Sequence, residues 1–535
     1  EIKMVNRALL FVLVLPLVAT PVWGANILGL FSTFSPSHMI VHMSMMKALA
    51  DQGHNITIVT ILKTKIAPHE NITLIQAPAT EERLKGMNEY LEKSSKEKLH
   101  MLKAMYNTLT NAGSMLGMQY DFLVHPTVKA LYENPQTKYD LLILGYMMNE
   151  YQLGIATKLQ VPAILSWVGV PFTFVDDSVG NVYDPTYVPS ITMTTDTTTP
   201  RNSFWWRIHN FGNWILFKAI GMALDYKMND FYRQAFGNDS TMPSYDEVKQ
   251  RVSLLFYNYH SHSEGPVRPT VPQSIEIGGI QIKEKPDPLP NELAEFLDNA
   301  TDGAIFFSLG TNVKFAYFEP QLVETIYNVL SRQPLRVIWK WDDQVPKPGN
   351  ASNIFFHNWL PQDDILAHPN TKLFITHAGK GGVAEAQYHA VPMLALPVFG
   401  DQPGNAQLMV ASGFGINMDL LTLSEESLDK GIQEVLHNPV YLNNVRKFSD
   451  LYRDRPLTAR QSVIFWTEYV LRHKGAYHLQ SPSIKLGFVA RYNLDVFAVL
   501  LLILCITFIT FVLFVRFVVK TIRGRLQTKT KVKRN

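Results

Sequence analysis

The stretch KLFITHAGKGGVAEA, from Lys372 to Ala386, admits few local folds. Its apolar run from Leu373 to Thr376 predicts a strand, glycines break the pattern after His377, and a helix starts beyond them. A strand, a tight turn and a helix in that order aim backbone N–H groups and a positive helix end at one point, which suits a phosphate. Gly379, Gly381 and Gly382 let the backbone approach an anion closely, and His377 at the strand's end adds a side-chain donor. Lys380 can bring a charge to the same turn.

The flanks extend this reading. Upstream, Asn358–Trp359–Leu360–Pro361–Gln362 puts an indole on a loop, a stacking surface for a planar base. Glu385 lies one turn inside the helix, where a carboxylate can accept both hydroxyls of a ribose. Downstream, the strand MLALPV runs into Phe399–Gly400–Asp401–Gln402, an acceptor and an amide placed to read sugar hydroxyls. Base platform, phosphate turn, ribose acid and sugar-reading pair follow in that order. Together they predict a nucleotide-sugar site.

The first half predicts the same architecture. Asn26 to Phe31 reads as a strand, Met39 to Ala50 as a helix stopped by Gly53, and Ile56 to Leu62 as a second strand. A right-handed crossover makes those strands parallel, and His38 falls beyond the first, where open α/β sheets bind ligands. Glu81 to Leu131 reads as helical, and strands at Leu141 to Leu144 and Ala163 to Val168 continue the α/β alternation. Ser203 to Leu224 is unusually aromatic; core packing is expected, with contact to a membrane surface or acceptor as the alternative. Three prolines in Lys283 to Pro290 mark a domain boundary before a helix at Asn291.

The block WLPQ…THAGKGGVAEA…PVFGDQPGNAQ resembles the signature of the membrane-bound animal UDP-glycosyltransferases, in the manner of invertebrate members. The likeness covers nearly the whole chain, is densest from Ile305 to Gly475, and includes the late DRPLTAR…HKGAYHL run. It implies an α/β fold of the GT-B kind: two Rossmann-like domains facing a cleft, with the helix Thr458 to His473 crossing back to the first. By the same resemblance, His38 is the general base of an inverting transfer, Thr311 a second phosphate contact, and Lys340 the family's basic strand position. The implied partners are a UDP-sugar donor and a small lipophilic acceptor. UDP is part of a co-substrate, and neither a cofactor nor a metal is implied.

Two departures stand out. Relatives commonly carry an acid after the YDLLIL strand to orient the histidine, where this chain has Gly145. Either Glu150 reaches back as the catalytic partner, the acceptor is already acidic, as phenols are, or the chain is an impaired nucleotide-sugar-binding homologue. Relatives also often place Asn or Ser at Gly381 and Gly382, although the backbone donors survive. Glucose is the favoured sugar, because Asp401 and Gln402 are hydroxyl readers and no cation for a glucuronate carboxylate stands out. Glucuronate transfer is the alternative.

The ends set the compartment. Val496 to Val515 is an apolar run long enough to cross a bilayer, and basic residues from Arg516 onward carry no acid among them. A basic, then apolar, then small-residue start predicts a signal peptide cut after Gly24. These predict a single-pass type I protein of the endoplasmic reticulum membrane with a luminal body, and Lys531 and Lys533 resemble a dilysine retrieval signal. Sequons fall at Asn55, Asn71, Asn238, Asn299 and Asn350. The lone Cys505 excludes luminal disulfides and zinc–thiolate sites, and the net charge of +3 argues against nucleic acid as a partner. Association with itself or with a relative stays open. The expected layout is a leader over 1–24, an acceptor-binding domain over 25–285, a UDP-sugar-binding domain over 286–490, a spanning region over 494–519 and a basic tail over 520–535.

Overall fold

A computed structural model of the chain describes residues 24–63, 68–96, 101–170, 172–190, 199–262, 265–342 and 345–532. The expected leader, but for Gly24, and the end of the dilysine motif at Lys533 lie outside these residues. Two compact units result, 1–480 and 481–535.

The larger unit holds two parallel sheets. The first contains β1 (Asn26–Phe31), β2 (Asn55–Thr60), β3 (Ile72–Gln76), β4 (Leu141–Gly145), β5 (Ala163–Trp167), β6 (Val252–Tyr257) and β7 (Ser274–Glu276), in the order β3-β2-β1-β4-β5-β6-β7. The second contains β8 (Ala304–Ser308), β9 (Arg336–Lys340), β10 (Ile354–His357), β11 (Thr371–Thr376), β12 (Met393–Ala395) and β13 (Gly415–Asn417), in the order β10-β9-β8-β11-β12-β13. Central strands such as β4, β5, β6 and β8 are buried along their whole length, as parallel strands covered on both faces must be. Each sheet reverses its strand order once, between β1 and β4 and between β8 and β11. The crevice outside the strand ends at such a reversal is where doubly wound sheets bind ligands. His38, Thr311 and His377 all follow one of these strands.

The helix Pro36–Ala50 starts in the loop after β1, with Pro36 in its first turn, so His38 belongs to that turn rather than to the strand end. The helix Ala459–His473, opened by a Thr458–Gln461 capping box, returns to the first half: Val463 and Val470 are fully buried in one cluster with Met45 and Met46. Arg460 pairs with Asp51 and His54 faces Glu468. The expected crossing back is present.

Two expectations change. The pattern from Glu81 to Leu131 is helical at Glu81–Lys96 and Met101–Val124, and breaks at His125, whose side chain caps a new helix, Pro126–Glu133, opened by a proline that cannot continue the one before. The aromatic segment lies in one helix, Phe204–Phe236, and core packing holds only for part of it. Trp206, Asn210 and Met228 through Phe236 contribute buried positions, while Phe204, Trp205, Ile208, Phe211 and Ile215 are exposed along one stripe. In the smaller unit the helix Leu494–Val532 includes an apolar stretch, Leu494–Leu526, long enough to cross a membrane.

Candidate active site

The turn after β11 is built around the His377 imidazole. Ala378 adopts the left-handed region, with φ of 59°, and Gly379 ends the turn as the N-cap of the helix Lys380–Tyr388. A Cβ on Gly379 or on Gly310 would collide with the His377 ring, so two glycines from neighbouring turns close on one side chain. Gly310 also has a φ of 78°. Gly382 approaches Gln362, whereas a side chain at Gly381 would meet almost open space. The N-cap residue Gly379 has no side chain to cap the helix, and the Lys380 amide faces the Asp401 carboxyl, as a helix start favours a negative group.

Lys340 ends β9 beside this turn. Its amine donates to the Gly310 carbonyl and lies 6.0 Å from the Trp359 ring centroid. Burial lowers Lys340 to about 8. His377 falls to about 4, first through burial and then through the Lys340 charge, so it is neutral at pH 7. The Thr311 hydroxyl is buried without a hydrogen-bond partner, next to the turn amides it follows. Trp359 is 58% exposed, as a stacking platform requires.

Glu385 and Gln362 meet directly: the amide of Gln362 donates to Glu385 Oε2 at 2.6 Å. Burial, then Asp363, raises Glu385 to about 8. Asp363 accepts from the Lys283 backbone and bonds His389 at 2.7 Å, which fixes the helix Gln362–Ala367 that carries Gln362. A carboxyl and an amide held side by side match the two hydroxyls of a ribose.

Asp401 accepts from Asn405 Nδ2 at 2.7 Å, and the same amide donates to the Ala378 carbonyl at 3.0 Å. Asn405 therefore ties Asp401 to the turn after β11, a role not anticipated for it; its place one helical turn after Asp401 was the available signal. Burial raises Asp401, with Asn405 and Lys380 working against that rise. Gln402 commits its oxygen to the Val398 and Phe399 amides, leaving its NH2 for a ligand. Among the described residues no three His, Cys, Asp or Glu side chains are grouped to hold a metal ion.

His38 stands across from this site. Its Nδ1 is 3.4 Å from Thr33 Oγ1, and burial lowers the imidazole to about 4. The helix it occupies is joined to the second half by a hydrogen bond from Asn312 Nδ2 to Ser35 Oγ at 3.1 Å. Glu150 is elsewhere: it accepts from the Tyr146 hydroxyl at 2.7 Å, forms no hydrogen bond with His38, and is raised by burial to about 7. The expected reach-back of Glu150 is not made: its Oε1 holds the Tyr146 hydroxyl, and its Oε2 is buried without a hydrogen-bond partner.

Two Rossmann-like halves with sites on apposed carboxyl edges define a GT-B glycosyltransferase. The glycosyltransferase of kitacinnamycin has this fold, with a TM-score of 0.53 at 17% identity over 84% of this chain and 99% of that one. The family model for UDP-glucoronosyl and UDP-glucosyl transferases matches residues 29–532. UDP-glycosyltransferase UGT5 of Dactylopius coccus is 31% identical over 484 residues, 89% of either chain. Human UDP-glucuronosyltransferase 2B15 is 30% identical over 480 residues, 87% of this chain and 88% of that one. The chain belongs to the UDP-glycosyltransferase family, whose reaction is glucosyl or glucuronosyl transfer from a UDP-sugar donor.

Proposed function

We propose that this protein transfers glucose from UDP-glucose to a hydroxyl of a small lipophilic acceptor, inverting the anomeric carbon, with His38 as general base. The Asn312–Ser35 hydrogen bond carries the reading: it holds the turn after β8, one wall of the diphosphate site, against the cap of the helix that bears His38. Nδ1 faces Thr33 Oγ1, and Nε2 takes the proton as the acceptor oxygen attacks C1. The departing UDP then meets the amides after Gly379 and the positive helix end. The reading calls on no metal and no other cofactor.

Asp401 favours glucose over glucuronate, since a second carboxylate beside it would be repelled. A Tyr146–Trp167 ring pair at the carboxyl ends of β4 and β5, and a trio of Phe172, Phe174 and the helical Phe217, suit an apolar acceptor. The basic residues after the apolar stretch support a cytosolic tail and a body in the lumen of the endoplasmic reticulum.

A matrix of UDP-glucose and UDP-glucuronate against a panel of phenols and alcohols, read by UDP release, tests this. UDP-glucose is expected to support the fastest release. A preference for UDP-glucuronate overturns the sugar assignment, and donor binding without release across the panel overturns transfer in favour of a binding protein.

A further inference from the structure

A second histidine lies behind His38. His42 is one turn along the same helix and therefore on the same face. It is 2% exposed, its ring stacks on Phe31 with centroids 4.3 Å apart and planes 15° from parallel, and its Nδ1 is 3.2 Å from Ser166 Oγ. Gly145 makes this placement feasible. A Cβ there would stand 3.1 Å from His42 Nε2 and 2.9 Å from Phe31 Cδ1, so the His42 ring edge fills the space of any residue-145 side chain.

Phenylalanine would fill that volume and stack on Phe31 without desolvating two nitrogens. The imidazole is thus a costly choice for packing alone. Among the described residues, burial alone lowers His38, and burial followed by His38 lowers His42 to about 3. Both rings are neutral at pH 7, and each keeps one lone pair.

We propose that His42 is the positioning residue for His38, its Nε2 lone pair serving as the acceptor that a carboxylate at position 145 would otherwise provide. With Nδ1–H donating to Ser166, the lone pair falls on Nε2 at the Gly145 edge. As His38 Nε2 takes the proton from the acceptor hydroxyl, positive charge develops on the His38 Nδ1–H, and the His42 lone pair attracts it. No proton passes to His42. The long Thr33 contact at 3.4 Å leaves the His38 Nδ1–H available for a second acceptor. This role rests on the reading of His38 as the base.

The test uses detergent-solubilised full-length protein with UDP-glucose and a phenol, following kcat, KM and the pH profile together with melting temperature. His42→Phe is expected to lose roughly tenfold or more in kcat while the UDP-glucose KM stays within about twofold. Ser166→Ala, which frees the His42 tautomer at little change in volume, is expected to lose roughly threefold or more in kcat. The double variant His42→Ala/Gly145→Asp is expected to recover activity relative to His42→Ala, with its acid limb moved to higher pH because an anion raises His38. Retention of kcat and pH profile by His42→Phe overturns the proposal; if that variant does not fold, unchanged kcat in Ser166→Ala does so. His38→Ala is measured alongside: activity surviving in it sinks the base assignment, a separate result from survival in His42→Phe.

Discussion

Asn312 and Ser35, 277 positions apart in the chain, are joined by a hydrogen bond of 3.1 Å between the Asn312 amide and the Ser35 hydroxyl. One residue follows β8 and the other is the N-cap residue of the helix carrying His38, so one contact bridges the carboxyl edges of the two sheets. A neutral hydrogen bond contributes about 0.5–1.5 kcal/mol, and Asn312→Ala is expected to lower kcat/KM roughly two- to tenfold. An unchanged kcat/KM would mean that other contacts hold the edges together.

Trp359 is exposed, and on the proposed reading its ring is covered only when nucleotide is bound. Base–aromatic stacking contributes about 1–3 kcal/mol, so Trp359→Ala is expected to weaken UDP binding by roughly five- to 150-fold. Calorimetric titration with UDP checks this, and the melting temperature of the free protein is expected to stay unchanged.

Glu385 links donor binding to protons. Burial and then Asp363 raise it to about 8, so at pH 7 the free site is mostly protonated, whereas two ribose hydroxyls donate best to a carboxylate. UDP binding is therefore expected to release a proton near pH 7 and to tighten as pH rises toward 8. Titrations in two buffers of different ionisation enthalpy measure the release, which Glu385→Gln is expected to abolish. Equal affinity from pH 6 to 8.5 would contradict the account.

Much of this site was legible because it is local. The turn at His377 to Gly382, the Trp359 loop and the Asp401–Gln402 pair are each set by a few adjacent residues, and β11 is a short apolar run ending at Thr376, as expected. Contacts between distant segments were not legible. Nothing in the spacing joins Ser166 to His42, or places Phe31 against both His42 and the Gly145 backbone, because these meet only when β1, β4 and β5 pair. Glu150 shows the same limit from the other side. Its nearness in sequence to Gly145 suggested a partner for His38, yet one oxygen holds the Tyr146 hydroxyl and the other is buried without a partner. The aromatic helix misled for a different reason: its composition is that of a core, while its exposed stripe depends on which neighbours cover it.

UDP release by solubilised full-length protein, with UDP-glucose and a phenolic acceptor, compared between the wild type and His38→Ala, reaches the central claim most directly. The account predicts acceptor-dependent release that falls by roughly 10²- to 10⁴-fold in the variant, with UDP affinity unchanged. Release that is indifferent to the acceptor, or equally fast without the His38 imidazole, would contradict it.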